Sequence, residues 1–226
     1  MGVALEVYAD GLLIGSRGKL PPDYSLRATQ YSAIEIPESL VISGRPVVIA
    51  LRCAYQGSIA PLPLYQLGNE AAMKRDMVKG NFLNGDIYIM FAAICTFLGL
   101  YFLLQFIFPP HERTNLFYAL AMLFLAFYLA ELGTTVWPFR APWIRAIARA
   151  SLLFSMFLLL PFFIEFFDIL RKKWIYASCF FICFVFLVFF LVLSGDETKL
   201  MAIFSLTCTL VFIPILTEAV ICVIAL

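Results

Sequence analysis

"IYIMFAAICTFLGLYFLLQFIF", residues 87–108, is a run of 22 residues without a charge. As a helix rising 1.5 Å per residue it reaches about 33 Å, and a bilayer core is about 30 Å thick. The run therefore reads as a membrane span, and four more follow. Residues 116–137 carry one acid, Glu131, and residues 146–167 contain Pro161 and, at their far end, Glu165. Arg171-Lys172-Lys173 precedes a Phe-rich span at 175–193. The loop Gly195-Asp196-Glu197-Thr198-Lys199 then leads to residues 200–226, which hold Pro214 and Glu218. The expected architecture over 87–226 is an integral-membrane α-helical bundle of five spans.

Composition agrees. The chain of 226 residues is 63% hydrophobic and 14% charged, with 24 Phe, where a soluble domain averages about 25% charged. A net charge of +1 and the lack of a basic run interleaved with aromatics exclude nucleic acid as a partner. Membrane lipid is the first partner the composition implies.

Residues 1–86 are different. Leu5–Ala9 and Leu12–Gly15 are apolar-rich runs meeting at Asp10-Gly11, a pair that favours a type I′ hairpin turn because both positions need positive φ. Ile34-Glu35-Ile36-Pro37 alternates and is expected to be extended. Arg45–Cys53 is a β-branched run expected to pair with the hairpin. Residues 1–68 thus read as a partial antiparallel β domain of the sandwich or jelly-roll class, with roughly four strands where a jelly roll takes about eight. Residues 69–86 can form a short linker helix. Cys53 is alone in this part, so it is not a disulfide scaffold.

"LEVYADGLLIGSRGKLPP", "IEIPESL" and "RPVVIALRCAY" resemble the later strands of an extracytoplasmic, galactose-binding-like jelly roll. "YIMFAAICTFLGLYFLLQFIFPPHERTNLFYALAMLFLAFYLAELG" resembles the first two spans of bacterial seven-transmembrane receptors with diverse intracellular signalling modules. The resemblance implies an outer β domain that binds a small molecule such as a carbohydrate, and a helix bundle in the cytoplasmic membrane. It also implies a C-terminal histidine kinase, diguanylate cyclase or serine phosphatase as reporter. "YADGLLIGSRGKLPP" is closest in character to members that end in a sporulation-type serine phosphatase. On this reading the chain is an incomplete member, lacking the first strands of the jelly roll, a signal sequence, two spans and the output module. Met1–Leu5 has neither a basic n-region nor an apolar h-region.

Candidate residues carry competing readings. Glu131, Glu165 and Glu218 are costly in a bilayer and suit signal coupling. Glu131 and Glu165 lie near span ends, where interfacial or helix-pairing roles compete. Pro161 and Pro214 are hinges for transmission or static kinks. Arg52, Tyr55 and Gln56 at a strand end are candidates for a sugar-type pocket or ordinary rim residues. His111, the sole histidine, has no second ligand at metal spacing, so neither a metal nor another cofactor is expected. Cys179 and Cys183 share a helix face without implying redox chemistry. With no Gly-rich phosphate loop and no Ser-His-Asp set, the chain is not expected to be an enzyme.

Orientation is undecided by charge. With the β domain outside, inner loops carry Arg113, Arg171, Lys172 and Lys173, and outer ones Arg140, Arg145, Arg149 and Lys199. The receptor reading, which includes a homodimer, competes with two others. One is a fragment of a transporter or membrane enzyme that uses intramembrane glutamates; the other is a remnant of a truncated gene.

Overall fold

The computed structural model describes residues 3–18, 20, 31–41, 45–55, 66–134, 141–167, 173–196, 199–209, 211 and 216. The chain divides into two compact units, Met1–Ile87 with Gly133–Ala141, and Tyr88–Leu132 with Pro142–Leu226.

The first unit contains an antiparallel sheet of β1 (Val3–Ala9), β2 (Leu12–Arg17) and β3 (Ile49–Tyr55), in the order β2-β1-β3. At the β1–β2 turn Asp10 has φ 48° and Gly11 φ 83°, the positive pair a type I′ turn needs. Asp10 also fixes the start of β3. Its Oδ1 accepts from the Val48 N–H at 2.8 Å, and its own N–H donates to the Val48 carbonyl at 2.9 Å. β1 and β3 pair without interruption from Val3↔Tyr55 to Ala9↔Ile49. β1 and β2 slip by one residue between Val7↔Gly15 and Tyr8↔Leu13, a bulge on the β2 side.

Two expectations are corrected here. The run Arg45–Cys53 enters the sheet only at Ile49, because Pro46 has no N–H and the Val48 N–H is taken by Asp10. Ile34–Pro37 does not join the sheet. Its neighbourhood docks instead on α1 (Glu70–Asn81), and Ile34 lies over Gly15 of β2, where an added Cβ would meet Ile34 Cγ2 at 2.7 Å. The described residues therefore form three strands, not four.

α1 starts at an Asn69 cap, whose side chain accepts from the Ala71 N–H. Helical backbone then continues from Glu70 to Ile107, passing through a π-turn at Phe82–Asp86 into α2 (Ile87–Ile107).

The second unit holds α2, α3 (Arg113–Gly133), α4 (Ala141–Phe166), α5 (Lys173–Val192) and a shorter apolar helix, α6 (Lys199–Thr209). Among the described residues, four helices are long and apolar enough to cross a membrane. Of the expected fifth span, only the beginning lies within described elements; Pro214 and Glu218 lie outside the described residues.

α4 is the most buried of the four. Its Ala146, Ala150 and Leu153 pack with Phe190 of α5 and Leu200 of α6, and its Leu158 packs with Phe117 and Ala121 of α3. Lipid chains are as apolar as these side chains, so close packing rather than the hydrophobic effect must join the helices. The alanines permit that approach, and the many Phe rings supply contact area, as in Phe124–Phe154 at 5.0 Å and Phe190–Phe204 at 6.2 Å. α2 meets α3 at Gly99, where an added Cβ would come within 2.8 Å of Leu123 and 3.2 Å of the Ala119 carbonyl oxygen.

Candidate signal-coupling site

α3 and α4 follow one another, so an acid near the end of α3 and a base near the start of α4 reach the same end of the bundle. Glu131 is two residues from the end of α3. Arg149 is eight residues into α4, roughly 12 Å along its axis. The Arg149 Nη1 donates to Glu131 Oε2 at 3.2 Å, and the two side chains are only 10% and 11% exposed. Tyr128 precedes Glu131 by three residues on the same helix face. Its ring centroid lies 5.5 Å from the Arg149 guanidinium carbon, and that of Phe204 on α6 lies 5.2 Å from it. One cation on α4 thus touches two other helices, α3 and α6. The Arg149 Nε is buried with no hydrogen-bond partner among the described residues.

The arrangement is costly to break. Removing either member leaves an unneutralised charge in apolar surroundings, a loss of about 3–5 kcal/mol, whereas replacing both by apolar groups can be neutral. Cation–π contact adds about 0.5–2 kcal/mol. Arg149 is the residue that reading from sequence placed wrongly, among loop charges. The signal was present: it falls inside the span 146–167, and a base inside a span needs a partner.

Glu165, at the other end of α4, accepts from the Tyr176 hydroxyl of α5 at 2.9 Å. With Glu112, Asn115, Tyr118 and Phe162 it borders a cleft of about 560 Å³. Pro161 is fully buried, and α4 remains helical through it although it donates no hydrogen bond. The buried hydroxyls of Ser151 and Thr207 donate to carbonyls of their own helices, Ile147 and Ile203, at 2.9 and 2.7 Å. His111 is exposed at φ 54°, with its Nδ1 2.8 Å from the Phe106 carbonyl, and among the described residues no group of three or more metal-ligating side chains exists. Cys179 and Cys183 are buried on α5.

In the first unit, Arg52 stands opposite Glu6 in the β1–β3 register, and its Nη1 is 3.4 Å from Glu6 Oε2. Tyr8 donates to the same carboxylate at 2.8 Å. Tyr55 ends β3, and Gln56 lies outside the described residues.

The family model described as 7TM diverse intracellular signalling matches residues 85–226, more than half of the chain. The chain belongs to that family. Searches among curated proteins and among solved structures found no match.

Proposed function

We propose that the chain is the sensing and transmembrane portion of a bacterial signal-transduction receptor in the cytoplasmic membrane, with its β part outside. Membership of the 7TM signalling family carries this reading. Ligand occupancy of the β part, by a small molecule such as a carbohydrate, biases the helix bundle. An output module reads the bias: a serine phosphatase, a diguanylate cyclase or a histidine kinase. The chain itself performs no catalysis in this scheme, and a homodimer is a natural reporting form.

The Glu131–Arg149 pair suits the coupling role. A ligand shifts a two-state bundle only through different affinities for its states, and a full shift takes about 5.5 kcal/mol. A buried ion pair that costs a few kcal/mol to separate makes states discrete on that scale. Glu131, engaged by Arg149, does not support a transport pathway, and neither do hydroxyls that bond within their own helices.

The test is labelling of Cys53, a partly exposed thiol, with a membrane-impermeant maleimide in a variant whose other cysteines are replaced. Labelling in intact spheroplasts is expected. Labelling only after permeabilisation places the β part inside and overturns the reading.

A further inference from the structure

The segment from Tyr31 to Glu35 lies along one face of α1. The Asn81 side chain grips the Tyr31 backbone from both sides: Oδ1 accepts from its N–H at 2.5 Å, and Nδ2 donates to its carbonyl at 3.1 Å. One helical residue thus supplies the donor and acceptor that a neighbouring strand would. One turn earlier, the Ala33 N–H points to Met77 Sδ at 3.3 Å, and Glu35 meets Lys74 Nζ at 3.0 Å. Lys74, Met77 and Asn81 are spaced by three and four residues, the period of a single helix face. The Tyr31 ring lies directly on Gly80, where a Cβ would stand 2.6 Å from its Cδ2. Only glycine leaves room there. Ile34, between these contacts, covers Gly15 of β2, so the segment joins the sheet to α1.

Immediately beyond this face the helix changes its pitch. The Ile87 N–H reaches back to the Phe82 carbonyl, closing a ring one residue wider than in an α-helix. At the point of widening the Gly80 carbonyl accepts from the Asn84 side chain at 2.8 Å. π-turns inside helices are uncommon and concentrate at functional positions. A return from π to α pitch would change the rotation of the chain about its own helix axis within the Phe82–Asp86 turn.

We propose that the Tyr31–Glu35 segment is a latch that holds α1 in the rotational setting the Phe82–Asp86 π-turn requires, and that release of the latch changes the pitch of that turn at the entry to the first membrane helix. This rests on the receptor reading and names the element through which the β part acts on α2. The latch contacts are solvent-exposed and individually weak, as a reversible device needs.

The test is amide hydrogen exchange on the full chain in lipid nanodiscs. Gly80→Ala inserts the excluded methyl yet favours helix, so a purely local helix effect would lower exchange in α1. The latch predicts the opposite for its own segment. Exchange over residues 31–36 rises at least ten-fold, and exchange over 82–92 changes at least three-fold. Asn81→Ala moves both regions the same way by a smaller factor. In a Tyr31→Ala background, Gly80→Ala has no further effect on either region, because the ring it displaces is gone. Unchanged exchange over 82–92 in both single variants, or an equal Gly80→Ala effect in the two backgrounds, overturns the proposal. Either result leaves the receptor reading standing, since that reading fails on Cys53 labelling instead.

Discussion

Two Glu–Arg pairs in this chain have nearly the same geometry and opposite surroundings. Glu6 and Arg52 lie 3.4 Å apart across a β ladder, with the arginine side chain 68% exposed; Glu131 and Arg149 lie 3.2 Å apart between two apolar helices, each about one-tenth exposed. Distance alone would rank them equal. In water, the attraction of the first pair is nearly cancelled by dielectric screening and by the entropy of fixing two long side chains, leaving about 0–1 kcal/mol. In the second, neither charge can return to water while its helix stays packed, so the loss of one partner strands the other. Burial, not contact distance, assigns one pair to trimming a sheet and the other to joining helices.

Several substitutions would break or sharpen this contrast. The largest effect is expected at Arg149→Met, which should cost about 3–5 kcal/mol in denaturant unfolding of bicelle-embedded protein, with the Glu131→Leu, Arg149→Leu double variant recovering most of it. Gly99→Leu should cost about 1–3 kcal/mol by forcing side-chain bulk against Leu123 and the Ala119 backbone; a loss as large as that of Arg149→Met would show that packing rivals the ion pair. Tyr176→Phe removes one hydrogen bond to Glu165 and should cost about 1 kcal/mol. Arg52→Met is expected within about 1 kcal/mol of the parent, and raising the salt should erase even that difference, because exposed charges are screened over about 8–10 Å. An Arg52→Met effect that persists at high salt would remove the distinction between the pairs.

The same contrast explains what could be read from the sequence. The Asp10-Gly11 turn was legible because its chemistry is local: two adjacent residues must accept positive φ, and these two do. The long apolar helices were legible because span length and charge exclusion are set by the bilayer itself. Ile34–Pro37 was not, since its alternation suits a strand equally well and only the distant Asn81 and Met77, which take up backbone groups of the preceding Tyr31 and Ala33, hold this stretch beside a helix. The late start of β3 depends likewise on Asp10, 38 residues away. Glu131 announced itself as an acid in a span, but Arg149 was hidden by a boundary, because α4 begins at Ala141 and carries its arginine a full two turns inward. Nothing in Phe82–Asp86 marks a π-turn.

The account turns on the claim that one desolvated ion pair, rather than the exposed polar contacts, fixes how α3 joins α4. A double-mutant cycle on Glu131 and Arg149, using leucine at each position and unfolding in bicelles, measures it directly. The predicted coupling is about 4 kcal/mol or more in favour of the native pair, because each single loss of about 3–5 kcal/mol is largely recovered when both residues are replaced. A coupling under about 0.5 kcal/mol, the value expected for an exposed pair such as Glu6 and Arg52, would contradict it.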